Sequence, residues 1–368
     1  MKTTRISFAV LIFVLLANAS WAQEIKWFGE SPEMINALEG RGWDDIGFNR
    51  LPASSEGIVR DPVWNLSRQT AGLSLHFTTD SPEIQVSYTP TSTRLEMPHM
   101  PATGVSGVDL YVKDASGNFL WVRGGYKFGE KITYNFQLNN EPGSSKEFQL
   151  FLPLYNGLSE LQIGVPDDKS FAFSPRRTEK PILVYGTSIA QGACASRPGM
   201  AWTNILSRDL DMPMINLAFS GNGRMEEEVI QYVSQIDPAV FVLDCLPNLG
   251  SFSESEVKNK LSYAVNTLRS KYPNTPILLT EHAGYSDGLV FEPRAEIYQN
   301  LNRWLQESFE TLQDSGVTGI YTLSKDEIGM GVDDFVDGTH PSDLGMAKYA
   351  IAYDKKLRMI LSKPNHSK

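Results

Sequence analysis

The sequence predicts two domains in series, an all-β sandwich or jelly roll followed by an α/β domain built on a parallel sheet. Two rhythms and the break between them carry this expectation. From Trp27 to Pro166 the apolar residues alternate in short runs separated by turn clusters, the pattern of antiparallel strands. From residue 181 onward short apolar runs alternate with longer stretches of helical period, the pattern of parallel strands with helices on both faces. Between them, "DDKSFAFSPRRTEK" (167–180) has neither period and is expected to be the linker.

In chain order, "MKTTRISFAVLIFVLLANASWAQ" places Lys2 and Arg5 before an apolar run from Ile6 to Ala17. Small residues at Ser20 and Ala22 precede a cut ahead of Gln23. The run is too short to span a bilayer comfortably, so residues 1–22 are expected to be a signal peptide. An exported, periplasmic or extracellular protein follows from that, without stable membrane insertion. The β domain then covers 23–166, with strands expected at "GLSLHFTTD", "EIQVSYTP", "GVDLYVKD", "FLWVRGGYKF", "KITYNFQL", "KEFQLFLP" and "LSELQIGVP" and no helix between them. In the second domain, 181–368, strands are expected at "ILVYG", "PMINLA", "AVFVLDCL", "PILLTEH" and "GIYTL". Helices are expected at 199–210, 224–235, 254–272, 293–314 and 343–362. Leu261, Ala264, Val265 and Leu268 lie on one face of the third of these.

The net charge of −10 gives no basic face for a nucleic acid, and none is expected as a partner. There is no His-Glu-x-x-His, no Cys-x-x-Cys and no P-loop. Neither a metal nor another cofactor is expected.

In a parallel sheet the reactive groups gather beyond the carboxyl ends of the strands. Ser188 follows the first strand in "PILVYGTSIAQGACASRPGMAW". A serine hydroxyl needs a base before it becomes a nucleophile, and the chain has five histidines. His76 falls in a β-domain strand, His99 in the loop "EMPHMP", and His366 in the tail. His282 follows the fourth parallel strand, and His340 stands in "FVDGTHPSDLG" just before the last helix, with Asp337 three residues earlier. An Asp-x-x-His turn lets the carboxylate hold one ring nitrogen while the other faces a hydroxyl. The ordinary reading of such a turn is a helix entry; the strand-end serine favours the catalytic one. Gly221, after the second strand, and Asn248, after the third, are candidate donors to an oxyanion. Arg197, Glu281 and Tyr111 are candidates for substrate contact.

The order Ser188, Gly221, Asn248, Asp337/His340 resembles the four blocks of the SGNH/GDSL hydrolase superfamily, over roughly residues 181–362. In the first domain, Gly107-Val108-Asp109-Leu110-Tyr111 resembles the Gly-x-Asp-Leu-Tyr signature of the β domain that precedes one bacterial branch of these esterases. The chain departs from the broad pattern at Gly186-Thr187-Ser188-Ile189, where Gly-Asp-Ser-Leu is usual, and at Leu246-Pro247-Asn248-Leu249, where Gly-x-Asn-Asp is usual. The resemblance implies a flavodoxin-like hydrolase domain with Ser188 as nucleophile, His340 as base and Asp337 as its orienter. The oxyanion hole would be the Ser188 and Gly221 N–H groups and the Asn248 side chain. In a flavodoxin-like order the first and third strands are neighbours, which brings Cys194 and Cys245 to one edge, as a disulfide or as two buried thiols. The implied activity is removal of a small acyl group, acetyl, from an acylated carbohydrate. The alternatives are an O-acyltransferase and a glycan-binding protein with an inactive hydrolase domain.

Overall fold

The computed structural model describes residues 24–139 and 144–362. The signal-peptide segment and His366 lie outside these residues. The first domain contributes β1 (Ile25–Phe28), β2 (Leu38–Glu39), β3 (Ser74–Thr79), β4 (Glu83–Pro90), β5 (Asp109–Lys113) and β6 (Phe119–Val122). It continues with β7 (Gly124–Lys127), β8 (Ile132–Gln137), β9 (Lys146–Phe151), β10 (Leu158–Pro166) and β11 (Phe171–Phe173). These form two antiparallel sheets, ordered β1-β10-β4-β8-β7 and β11-β3-β9-β5-β6, with β2 alongside β3. Alternation sends Ile84, Val86 and Tyr88 of the first sheet and Leu75, Phe77, Phe148, Leu150 and Leu110 of the second into one shared core. The sandwich is the expected one.

Two features of this half differ from the sequence expectation. Three short helices interrupt the strands: α1 (Pro32–Ala37), α2 (Asp61–Ser67) and α3 (Ala102–Val105). The segment expected to be a linker carries β11, which pairs with β3 through Phe171↔Thr79 and Phe173↔Phe77. Phe171 stacks on Phe28 and Phe77, and this aromatic packing draws the chain into the sheet edge.

The second domain is a five-stranded sheet of β12 (Ile182–Gly186), β13 (Met214–Ala218), β14 (Val240–Asp244), β15 (Ile277–Thr280) and β16 (Ile320–Leu323). The order β13-β12-β14-β15-β16 is parallel throughout and flavodoxin-like. Its strands are almost wholly apolar because both faces are covered. On one face lie α5 (Trp202–Leu210) and α10 (Asp343–Leu361), where Trp202 stacks on Tyr353 at 4.1 Å. On the other lie α6 (Glu227–Val233), α7 (Glu254–Lys271) and α8 (Glu292–Asp314). α7 buries Leu261, Ala264, Val265 and Leu268, and a Ser253–Glu256 capping box starts it. Two four-residue helices, α4 (Ser188–Gln191) and α9 (Lys325–Ile328), complete the domain.

The two halves are stitched together by the chain between β2 and β3. Leu51, Val59 and Val63 join the core of the α/β domain. The guanidinium of Arg50, 1% exposed, donates to the carbonyls of Ala218 at the end of β13 and of Leu66 and Gln69. Residues 50–63, expected within the β domain, therefore buttress the carboxyl edge of the parallel sheet.

Candidate active site

The register of the sheet creates the site. Gly186 is level with Ala218 on one side and Asp244 on the other, so β12, β13 and β14 end together and their following loops converge. Ser188 opens α4, directly beyond β12, and is 7% exposed. Its N–H belongs to the first turn of the helix, which has no intrahelical acceptor. Gly192, at φ +106°, ends α4 in a left-handed conformation that a side chain would strain.

Ser188 Oγ lies 2.9 Å from His340 Nε2, and His340 Nδ1 lies 2.7 Å from Asp337 Oδ2. An ionised carboxylate only accepts, so the Nδ1–H donates to Asp337, and Nε2 is left to accept the serine proton. Asp337 Oδ1 also accepts the backbone N–H groups of Thr339 and His340. Burial raises the Asp337 carboxyl, but the bonds from His340 and the two backbone donors outweigh it and hold it below its ordinary value. The loop itself is clamped: Arg294 of α8 donates to Gly338 O and Thr339 Oγ1, and Val336 N–H donates to His340 O.

The expected oxyanion donors arrive from the neighbouring loops. Gly221 follows β13, and its N–H donates to no acceptor among the described residues. Asn248, after β14, accepts from Gly223 N–H through Oδ1 at 3.1 Å. That bond fixes the amide plane and leaves the Nδ2 hydrogens directed elsewhere. A Cβ at residue 223 would sit 2.1 Å from Gly186 O, so only glycine lets this loop approach the end of β12. Ser188, Gly221, Asn248, Asp337 and His340 are thus gathered at one sheet edge.

Other expectations receive different placements. His282 is 1% exposed and accepts Gly284 N–H at Nδ1; burial, then the Arg294 charge, lower it to about 3. It is a neutral core residue, and the ring that bonds Ser188 Oγ is that of His340. Glu281 is held from both sides, its Oε1 by Gln306 Nε2 and its Oε2 by Lys325 N–H, so it braces α8 against α9. Arg197 donates through one nitrogen to Asp109 Oδ2 (2.8 Å) and Tyr111 Oη (2.7 Å), with its guanidinium 4.5 Å over Trp121. Arg197 and Tyr111 therefore form a joint between the domains. Period-two alternation explains that joint: Leu110 faces the sandwich core, while Asp109 and Tyr111 face the α/β domain.

The thiols do not pair. Cys194 and Cys245 are both free and buried. β12 and β14 are neighbours as expected, but alternation along β14 turns Cys245 to the face of Phe241 and Leu243, where it donates to Tyr185 O. Cys194 packs instead with Met100 and Val105 of the β domain. Burial raises both thiols, Cys194 to about 12 with Asp337 adding to the effect, and Cys245 further.

Two β-domain residues reach the site without having been expected there. His99 stacks on His340 with ring centroids 5.7 Å apart and planes 20° apart. Tyr155 donates to Ser188 O at 3.3 Å. No local pattern marks either one. The only hint for His99 is a histidine between two methionines in a proline-flanked loop. Beside the joint, Thr103, Asp109, Trp121, Arg123, Tyr126 and Arg197 help line a groove of about 450 Å³. Thr103 donates to Ser196 O, and Ser196 donates through N–H and Oγ to Asp343, three residues after His340. One chain of hydrogen bonds thus runs from the groove wall to the loop of the base.

The comparisons agree with this architecture. Residues 179–358 match the model of the GDSL-like lipase/acylhydrolase family, and residues 25–171 match that of the N-terminus of SGNH-hydrolase-type esterases. A Bacteroides ovatus protein assigned as a GDSL-like lipase shares 33% identity, with a TM-score of 0.84 over 92% of this chain and 98% of its own. The salicylyl-acyltransferase SsfX3 of a tetracycline biosynthetic pathway superposes at TM-score 0.70 and 19% identity, over 93% of this chain and 99% of its own. A family two carbohydrate esterase from Cellvibrio japonicus superposes at 0.58 and 12%, over 92% and 98%. The last two share the fold. A search of curated proteins returned no match. The chain belongs to the GDSL-like lipase/acylhydrolase family, with the N-terminal β domain of SGNH-hydrolase-type esterases in front of its catalytic fold.

Proposed function

We propose that this acyl hydrolase is an exported serine esterase that removes a small acyl group, acetyl, from a carbohydrate. The observation that carries the chemistry is the linear relay Ser188 Oγ, His340, Asp337 at 2.9 and 2.7 Å. In the first half-reaction His340 Nε2 takes the Ser188 proton as Oγ bonds to the ester carbonyl carbon. The carbonyl oxygen, now negative, faces the N–H groups of Ser188 and Gly221 and the Asn248 amide. Collapse breaks the bond to the sugar oxygen, which leaves with the proton held on His340. Water then attacks the acyl-enzyme by the same relay, releases the carboxylic acid and restores Ser188.

A carbohydrate acceptor is supported by the groove beside the joint. Trp121 and Tyr126 are 46% and 57% exposed there, next to Thr103 and Arg123. Flat aromatic faces beside hydrogen-bonding groups suit a sugar ring, which has apolar C–H faces and a polar rim. Export rests on the N-terminal residues read above.

The test is hydrolysis of 4-nitrophenyl acetate and octanoate, then of acetylated polysaccharides, by wild type and Ser188→Ala. Acetate is expected to exceed octanoate in kcat/KM, acetic acid to be released from the polymer, and Ser188→Ala to lose both. Equal nitrophenol release by the two proteins would end the esterase reading. A preference for octanoate would end the small-acyl one.

A further inference from the structure

His99 and Cys194 stand beside the relay without a step in it. One ligand atom from each of His99, Cys194, Asp337 and His340 lies within 4.8 Å of the other three. We propose that these four side chains form an inhibitory site for a borderline-soft divalent cation of the Zn²⁺ type, which switches the esterase off by taking its base.

The donor set fits such an ion. Two imidazoles, a thiolate and a carboxylate are the ligand classes of tetrahedral zinc, and the thiolate and carboxylate together balance its charge. Bonds of about 2.0–2.3 Å to a tetrahedral ion put the donors roughly 3.3–3.8 Å apart. Side-chain rotations must close the present spacing by about one ångström and turn the nearly parallel rings of His99 and His340 so that their in-plane lone pairs converge. Hard cations prefer all-oxygen shells and are disfavoured here. The site is also reachable, because Asp337 is exposed and His99 and His340 are half-buried, while Cys194 forms the floor.

Cys194 is the group whose state must change. A metal-bound cysteine is a thiolate, so the Cys194 thiol must give up its proton. An incoming dication displaces that proton to solvent as the metal–sulfur bond forms. Whichever nitrogen of His340 the ion takes, the ring loses either its bond to Ser188 or its bond to Asp337. Both are needed for it to act as base. The β domain supplies His99, so the ion would also cross-link the two domains at the site.

The inference goes beyond the esterase reading, and its binding test does not need turnover. Full-length protein stripped with a chelator is titrated with Co²⁺ and followed by absorption, then with Zn²⁺ by calorimetry. The expected result is a thiolate-to-cobalt charge-transfer band with tetrahedral d–d intensity, in wild type and equally in Ser188→Ala. Cys194→Ser should abolish the charge-transfer band, and Cys194→Ser and His99→Ala should each weaken Zn²⁺ binding about ten-fold or more. Zn²⁺ inhibition of ester hydrolysis should weaken in parallel, with thermal unfolding confirming that each variant is folded. Absence of the cobalt band in wild type would overturn the proposal. So would Zn²⁺ binding of unchanged strength in both variants.

Discussion

At the scale of the residue, the geometry assigns Asn248 a role that its type alone does not. Its Oδ1 is taken by Gly223 N–H, which leaves the Nδ2 hydrogens as the groups that the proposed oxyanion hole would use. Asn248→Ala is expected to lower kcat by about 10²–10³ with little change in KM, as for other oxyanion donors. Steady-state kinetics on 4-nitrophenyl acetate check this, and a pure KM effect would contradict it. A second residue, Asp244, sets a pH dependence of stability. Burial raises its carboxyl from 3.8 to about 7, a bond to Tyr353 opposing the shift only in part. Below about pH 4 both the folded and unfolded forms are protonated. Between pH 4 and 7 the unfolded chain ionises while the folded carboxyl keeps its proton, so stability falls as pH rises. Asp244→Asn removes that ionisation. It should stabilise the protein by on the order of a few kcal/mol at pH 8 and by much less at pH 4. Denaturant unfolding at the two pH values tests the sign, and a pH-independent difference would contradict it.

At the scale of the element, the joint between β5 and the loop after α4 is the piece that holds two domains to one geometry. Asp109 accepts from Arg197, Gly199 N–H and Trp121 Nε1, so a single carboxylate ties three segments. Arg197→Ala leaves that carboxylate, itself 4% exposed, short of its charged partner. The variant should lose about 2–3 kcal/mol of stability, the range for a hydrogen bond to a charged group. Urea unfolding of the full-length protein measures it, and an unchanged midpoint would mean that Arg197 does not brace the joint. The elements also show what a sequence can reveal. β12 to β16 and the helices α5, α7, α8 and α10 were legible because each carries enough residues to display a period against a buried face, and seven-residue α6 because two parallel strands on either side of it require a crossover there. The helices α1, α2 and α3 were not, since four to seven residues make at most two turns and display no period. Only their entry signals, Ser31-Pro32 and Asp61-Pro62, are written locally. The relay was legible for a different reason: Ser188 and the Asp337–His340 turn sit at ends of elements whose order dictates where they meet. His99, Tyr155 and the separation of the two thiols depend on domain docking and strand facing, which no local pattern encodes.

At the scale of the whole molecule, the β domain is part of the site and not an appendage to it. It supplies His99 against the base, Tyr155 against the backbone of the nucleophile, and the aromatic wall of the neighbouring groove. Residues 50–63 return the favour from the other side by packing into the core of the α/β domain. The relay is therefore held from both domains, and the account stands or falls on covalent chemistry at its serine. The most direct measurement is an acid quench of the intact protein during turnover of 4-nitrophenyl acetate, followed by mass spectrometry of the whole chain and of its peptides. The account predicts a species heavier by one acetyl group, with the modification on the peptide containing Ser188 and absent from Ser188→Ala. Turnover with the acetyl group on another residue would contradict it.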